Sequence, residues 1–133
     1  MNLSSLRSSF QLAVVMRDHE LMQKLTNEIT ATKYGMKCFE TVAEIKSLQS
    51  GWAPHLLVIN LCEAHDPVTL TKFKNDFPET KLIGLLDPET LTPSGQALVP
   101  LLDGICRSEF LNTELLLCID RAAQVIYLEQ VNE

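Results

Sequence analysis

Several things are scarce in this sequence, and each scarcity excludes something. No apolar run approaches the roughly 20 residues that span a bilayer, so no membrane span is expected. The first ten residues, Met1 to Phe10, lack the apolar core of a signal peptide, which points to the cytoplasm. Lys and Arg total 11 against 17 Asp and Glu, and no basic cluster stands out, so a direct nucleic-acid partner is not expected. The four cysteines, Cys38, Cys62, Cys106 and Cys118, form no CxxC pair and have no metal-ligand spacing with the three histidines. They read as reduced, mostly buried small side chains. With five glycines there is no Gly-rich phosphate loop, which argues against a nucleotide site.

The 133 residues suit one compact domain, read as a polar leader over 1–10 and a folded unit over 11–133. Short apolar runs alternate with helical patterns. Leu12–Met16 reads as a first buried strand, and Leu21, Met22, Leu25 and Ile29 share one face of a following helix that Gly35 ends. Met36–Phe39 is a second strand, and Thr41 to Glu44 has capping-box spacing ahead of Val42, Ile45 and Leu48. Pro54–Leu61 is a buried, parallel-type strand whose one polar residue near its end is Asn60. Asp66-Pro67 caps a third helix carrying Val68, Leu70, Phe73 and Phe77. Lys81–Leu86 is a fourth strand. Thr92-Pro93 opens a fourth helix that Pro100 should stop or kink. Ile105-Cys106 is a short fifth strand, and a long amphipathic helix runs from an Asn112 cap past Ile126 to Val131.

Five strand–helix repeats imply a parallel sheet with helices on both faces. The expected fold is α/β: a flavodoxin-like (βα)5 three-layer sandwich with strand order 2-1-3-4-5. In that topology Arg17 and Asp18 meet Asn60 at the carboxyl ends of adjacent strands, with Leu86 and Asp87 and then Arg107 and Ser108 alongside.

Three stretches in this register resemble the receiver domains of bacterial response regulators. Arg17-Asp18-His19-Glu20-Leu21 is similar to the acidic turn after strand one. Pro54 to Asn60 is similar to the strand that ends in the phosphoacceptor aspartate. Asp103 to Ser108 is similar to the segment leading to an invariant lysine. The resemblance implies a two-component signalling domain, with its phosphoacceptor position on Asn60, its two acidic metal positions on Arg17 and Asp18, its Thr/Ser switch on Leu86, and its lysine on Ser108 or, one residue earlier, Arg107.

The departures define the expectation. A carboxamide oxygen is a poor nucleophile and forms no acyl phosphate. Arg17 is always charged and opposes a nearby cation. Asp18 alone remains as a metal candidate, too thin a set for Mg²⁺, so no metal or cofactor is expected. Asp18 reads equally as a helix N-cap, Asn60 as a hydrogen-bonder holding the next loop, and Arg17 as a partner of Asp18, Glu63 or Asp87. His19, His55 and His65 read as surface residues. The expected protein is a degenerate, non-catalytic regulatory module that works by homodimerisation or by docking to a partner or its own output domain. Receivers use their fourth helix, fifth strand and fifth helix for such contacts. Here that face offers Leu101, Leu102, Phe110, Leu111, Ala123 and Tyr127. Two alternatives stand: a receiver phosphorylated on a displaced carboxylate, Glu63 or Asp66, and a small-molecule or anion sensor above Arg17 and Asn60.

Overall fold

A computed structural model describes residues 10–30, 34–46, 53–63, 66–86, 91–107 and 115–131. The elements are β1 (Gln11–Val15), α1 (His19–Thr30), β2 (Gly35–Phe39), α2 (Ala43–Lys46), β3 (Leu56–Asn60), α3 (Pro67–Asp76), β4 (Lys81–Leu86), α4 (Pro93–Leu98), β5 (Gly104–Arg107) and α5 (Leu116–Val131). The strands form one parallel sheet of order β2-β1-β3-β4-β5, as the alternation of patterns predicts.

β3 is buried along its whole length because it lies between β1 and β4 and is covered on both faces. Its side chains alternate between two cores. Leu56 and Val58 join Leu12, Val14, Ile83 and Leu85 under α1 and α5. Leu57 and Ile59 join Ala13, Val15 and Leu82 under α2, α3 and α4. Each such aliphatic side chain contributes about 1.5–3 kcal/mol when fully buried. A buried hydrogen bond, Tyr34 Oη to Asp120 Oδ1 at 2.6 Å, ties the approach to β2 onto α5.

The caps follow the sequence. Asp66 Oδ1 accepts the Val68 N–H with Pro67 at the first turn, and Thr92 Oγ1 accepts the Gly95 N–H. Pro100 ends α4, and the chain tightens into a 3-10 turn over Val99–Leu101.

Other expectations are corrected. Phe10 belongs to the core rather than to a leader, being 3% exposed. Gly35 is the first residue of β2, paired with Gln11, and does not cap α1; its missing side chain leaves room for the Gln11 carboxamide. Val68 is 59% exposed, because Leu70 and Phe73 define the inward stripe of α3 and Val68 stands off it. Only Cys106 of the four cysteines is buried, and Cys38 is exposed. Residues 1–9, His65, Asp87, Ser108, Phe110, Leu111 and Asn112 lie outside the described residues.

His55 is half-buried and structural, not a plain surface residue. Its Nδ1 accepts the Gln11 N–H at 3.0 Å, and its ring packs edge-on against Phe10 at 4.6 Å. Its backbone bridges β1 and β4: His55 N donates to Gln11 O, and Lys81 N donates to His55 O. Burial lowers its pKa from the usual 6.5, because charging the ring forfeits hydration. The unfolded chain therefore takes up this proton more readily than the folded one. The associated stability is complete above pH 6.5 and is lost as pH falls from there through the depressed folded value. In urea unfolding across that range, His55→Asn, which keeps an acceptor near the Nδ1 position but does not titrate, should flatten the decline. An unchanged slope would contradict this role.

Candidate functional site

The carboxyl ends of β1 and β3 converge, and the chain leaving each one turns toward the other. After β1, the backbone N–H groups of Arg17 and Asp18 lie just ahead of α1, outside its internal hydrogen-bond ladder. Glu63, in the turn after β3, fills that position. The Arg17 N–H points at both of its carboxylate oxygens, at 2.8 and 2.9 Å, and the Asp18 N–H donates to Oε2 at 2.9 Å. Asn60 Nδ2 donates to the same Oε2 at 3.3 Å. The Arg17 guanidinium lies beside it, Nε to Oε1 being 3.6 Å. The Glu63 side chain is only 13% exposed while that of Arg17 is 47% exposed. The backbone and amide donors therefore contribute more than the solvent-screened ion pair.

Asn60 is 5% exposed and bonds twice into the turn that follows it. Its Oδ1 accepts the Cys62 N–H at 3.0 Å, shaping the tight turn, while its Nδ2 reaches Glu63. A carboxylate at this position would place a second negative charge against Glu63 and offer no donor. Asp18 caps α1: its Oδ1 accepts the Leu21 N–H at 3.1 Å, and its backbone carbonyl accepts from Met22. Among the described residues no three His, Cys, Asp or Glu side chains are placed to hold a metal ion. A cation at Glu63 would face inward-pointing N–H groups and a guanidinium, the reverse of the oxygen-rich shell Mg²⁺ requires.

A second connection joins this turn to α4. Thr92 Oγ1 contacts the carbonyl oxygens of Leu61 at 3.2 Å and Glu63 at 3.0 Å, and accepts the Gly95 N–H at 2.9 Å. Gly95 lies so close to the turn that a Cβ there would run into the Leu61 carbonyl oxygen. The start of α4 is thus bonded to and packed against the Asn60–Glu63 turn.

Of the residues the sequence places at the pocket, Arg17, Asp18 and Asn60 come together, joined by Glu63. Leu86 ends β4, half-buried against the core under α2–α4, and Arg107 ends β5 on its exposed side; Ser108 lies outside the described residues. Arg17 pairs with Glu63, one of the three partners expected of it; Asp87 lies outside the described residues. Asp66 is occupied as the α3 cap, accepting from Val68 N and Thr69 Oγ1. On the other proposed face, Ala123 is fully buried against the sheet and cannot contact a partner. Tyr127 is half-buried against the same core, and Leu101 and Leu102 pack partly against the opposite one. Thr92 and Gly95 carry no conspicuous site signal, although the Thr-Pro-x-Gly order predicts the cap that places them.

No family model matches the chain, and no curated protein matches it in sequence. Solved structures do. The signal receiver domain of an HD domain-containing protein from Pseudomonas fluorescens superposes with TM-score 0.75 at 16% identity, covering 95% of each chain. The BeF3-activated DrrB receiver domain gives 0.64 at 21% identity, over 86% of this chain and 97% of that one. Full-length FixJ from B. japonicum gives 0.73 at 13% identity, over 90% of this chain and 60% of that one. The chain has the fold of response-regulator receiver domains. No helix among the described residues is long and apolar enough to cross a membrane.

Glu63→Ala leaves two backbone N–H groups without their acceptor and should cost about 1–3 kcal/mol in urea unfolding. Glu63→Gln keeps one acceptor oxygen and should cost less. Gly95→Ala, which would stabilise an ordinary helix interior by up to about 1 kcal/mol, should here destabilise by about 1–3 kcal/mol, because the methyl displaces α4 from the Leu61 carbonyl. Stabilisation of the Gly95 variant would show that α4 is not held against the turn.

Proposed function

We propose that this chain is a receiver-like regulatory module that signals by docking and not by accepting a phosphoryl group on aspartate. The observation that carries this reading is the Glu63 carboxylate seated among the Arg17, Asp18 and Asn60 donors, where the fold brings its strand ends together. An internal anion held by three hydrogen-bond donors and paired with the Arg17 guanidinium leaves the incoming phosphoryl group no metal ion and no free nucleophile. Asn60 supplies an amide, and Glu63, the nearest displaced carboxylate, has its lone pairs engaged.

The working surface in this reading is the side built from α4, β5 and α5. Six large apolar side chains are exposed among the described residues, and five of them, Val99, Ile105, Leu117, Val125 and Leu128, lie on that side. Leu117, Val125 and Leu128 share one stripe of α5. A concentration of exposed apolar surface on one side marks a protein contact, whether a second copy, a downstream output domain or a separate partner. The cytoplasmic, bacterial setting expected from the sequence fits this role.

A second reading, small-molecule sensing, draws on a cavity of about 330 Å³ beside the pocket, floored by Val15, Ile59, Leu70 and Leu98, with Arg17 and Asp66 among its lining residues. Ligand-dependent melting shifts across a metabolite panel would favour it.

Incubation with acetyl phosphate and Mg²⁺, followed by intact-mass measurement, tests the main reading. The mass should not change under conditions that label an unmodified receiver. A hydroxylamine-labile adduct lost in Glu63→Gln would instead establish a displaced phosphoacceptor.

A further inference from the structure

Between α5 and the sheet there is space that no side chain fills. β4 and β5 pair with Ile83 opposite Gly104 and Leu85 opposite Cys106. Cys106 is buried in the core under α1 and α5, so by strand alternation Gly104 also faces α5. A Cβ built on Gly104 meets nothing within 4 Å, and Ala122, which lines the same space from α5, is also small. The result is a groove of about 360 Å³ walled by Ile83, Gly104, Cys118, Ala122 and Val125. That is within the size range of small-molecule sites.

The charged groups that line the groove are separated along α5. Lys81 Nζ lies 3.5 Å from Glu129, which sets the last turns of α5 beside the amino end of β4. Asp103 stands at the same end; it accepts the Leu82 N–H at 2.8 Å and lies 3.9 Å from Lys74. Arg121 is two turns back from Glu129, about 12 Å along the helix axis by the usual rise per residue. It is exposed and has no hydrogen bond or ion pair among the described residues. Its neighbours one turn away on α5, Leu117, Cys118, Gln124 and Val125, are uncharged. One unpartnered cation therefore stands at one end of an apolar groove, and engaged charges stand at the other.

We propose that this groove binds a medium-chain alkyl monocarboxylate, with its carboxylate at the Arg121 guanidinium and its chain laid along Ala122, Val125 and Gly104 toward the amino end of β4. The guanidinium presents paired donors that match a carboxylate. The apolar walls take up the methylenes, which supply most of the affinity because the ion pair is exposed to solvent. The charge pattern selects a single negative charge: a second carboxylate at the far end of the ligand would meet Asp103, which is already paired. The site is separate from the strand-end pocket and stands whether or not that pocket takes a phosphoryl group.

The test is titration of the ¹⁵N-labelled 133-residue chain with sodium octanoate. Millimolar octanoate should give saturable shifts at the amides of Ile83, Gly104, Cys118, Ala122 and Val125. Butyrate, shorter by four methylenes, should bind at least about ten-fold more weakly, and octanedioate should also bind more weakly than octanoate. Arg121→Gln should weaken octanoate binding roughly two- to five-fold. Gly104→Val fills the groove from a position where a Cβ clashes with nothing; it should abolish binding with an unchanged or raised melting temperature. Absence of saturable shifts at these amides, octanoate binding indifferent to both substitutions, or butyrate or octanedioate binding as tightly as octanoate would each overturn the proposal.

Discussion

The carboxylate of Glu63 holds together the two loops on which this end of the sheet depends. It accepts from the backbone N–H groups that start α1 and from the amide of Asn60 at the end of β3. Two segments more than forty residues apart in sequence are fixed by one side chain. This also explains the amide at residue 60: Asn60 must give a donor to Glu63 and an acceptor to Cys62 at the same time, and an ionised aspartate offers acceptors only. Arg17 completes the neutralisation from the solvent side. Arg17 and Asn60 therefore take part in one interaction, centred on Glu63.

The same turn extends the constraint to α4. Thr92 contacts the Leu61 and Glu63 carbonyls while capping the helix, and Gly95 permits the close approach. The position of α4 is set by protein contacts already in place, with Leu86, which has no hydroxyl, at the end of β4. The other side of the sheet ends, among the described residues, on β5, and most of the exposed large apolar side chains described lie near it.

Much of the fold could be read from period alone. The five apolar strand segments are bounded by turn residues, and the helices show inward stripes, so the parallel 2-1-3-4-5 sheet follows from connection rules. The Asp66-Pro67 and Thr92-Pro93 caps were legible because capping chemistry is local. The misreadings arise where a tertiary contact decides. Gly35 resembles a helix terminator but serves β2, because its partner Gln11 is 24 residues earlier. His55 looks like a surface residue until β1 is placed beside it. The family resemblance puts Ala123 on an outer face, but it stands four residues after Ile119 and three before Ile126, on the stripe that α5 buries. At the site, Arg17, Asp18 and Asn60 could be brought together by topology. That Glu63 turns inward to join them depends on the shape of a three-residue turn, which periodicity does not report.

The central claim is that this end of the sheet is satisfied by the protein's own anion and has no place for a cation. Titration of the ¹⁵N-labelled chain with Mg²⁺, following the amides of Asp18, Asn60 and Glu63, measures this directly. The account predicts no saturable shift at these residues through the millimolar range, with Arg17 and Asp18 amides keeping the same resonances throughout. Saturable shifts confined to these positions, abolished in Asp18→Asn, would contradict it.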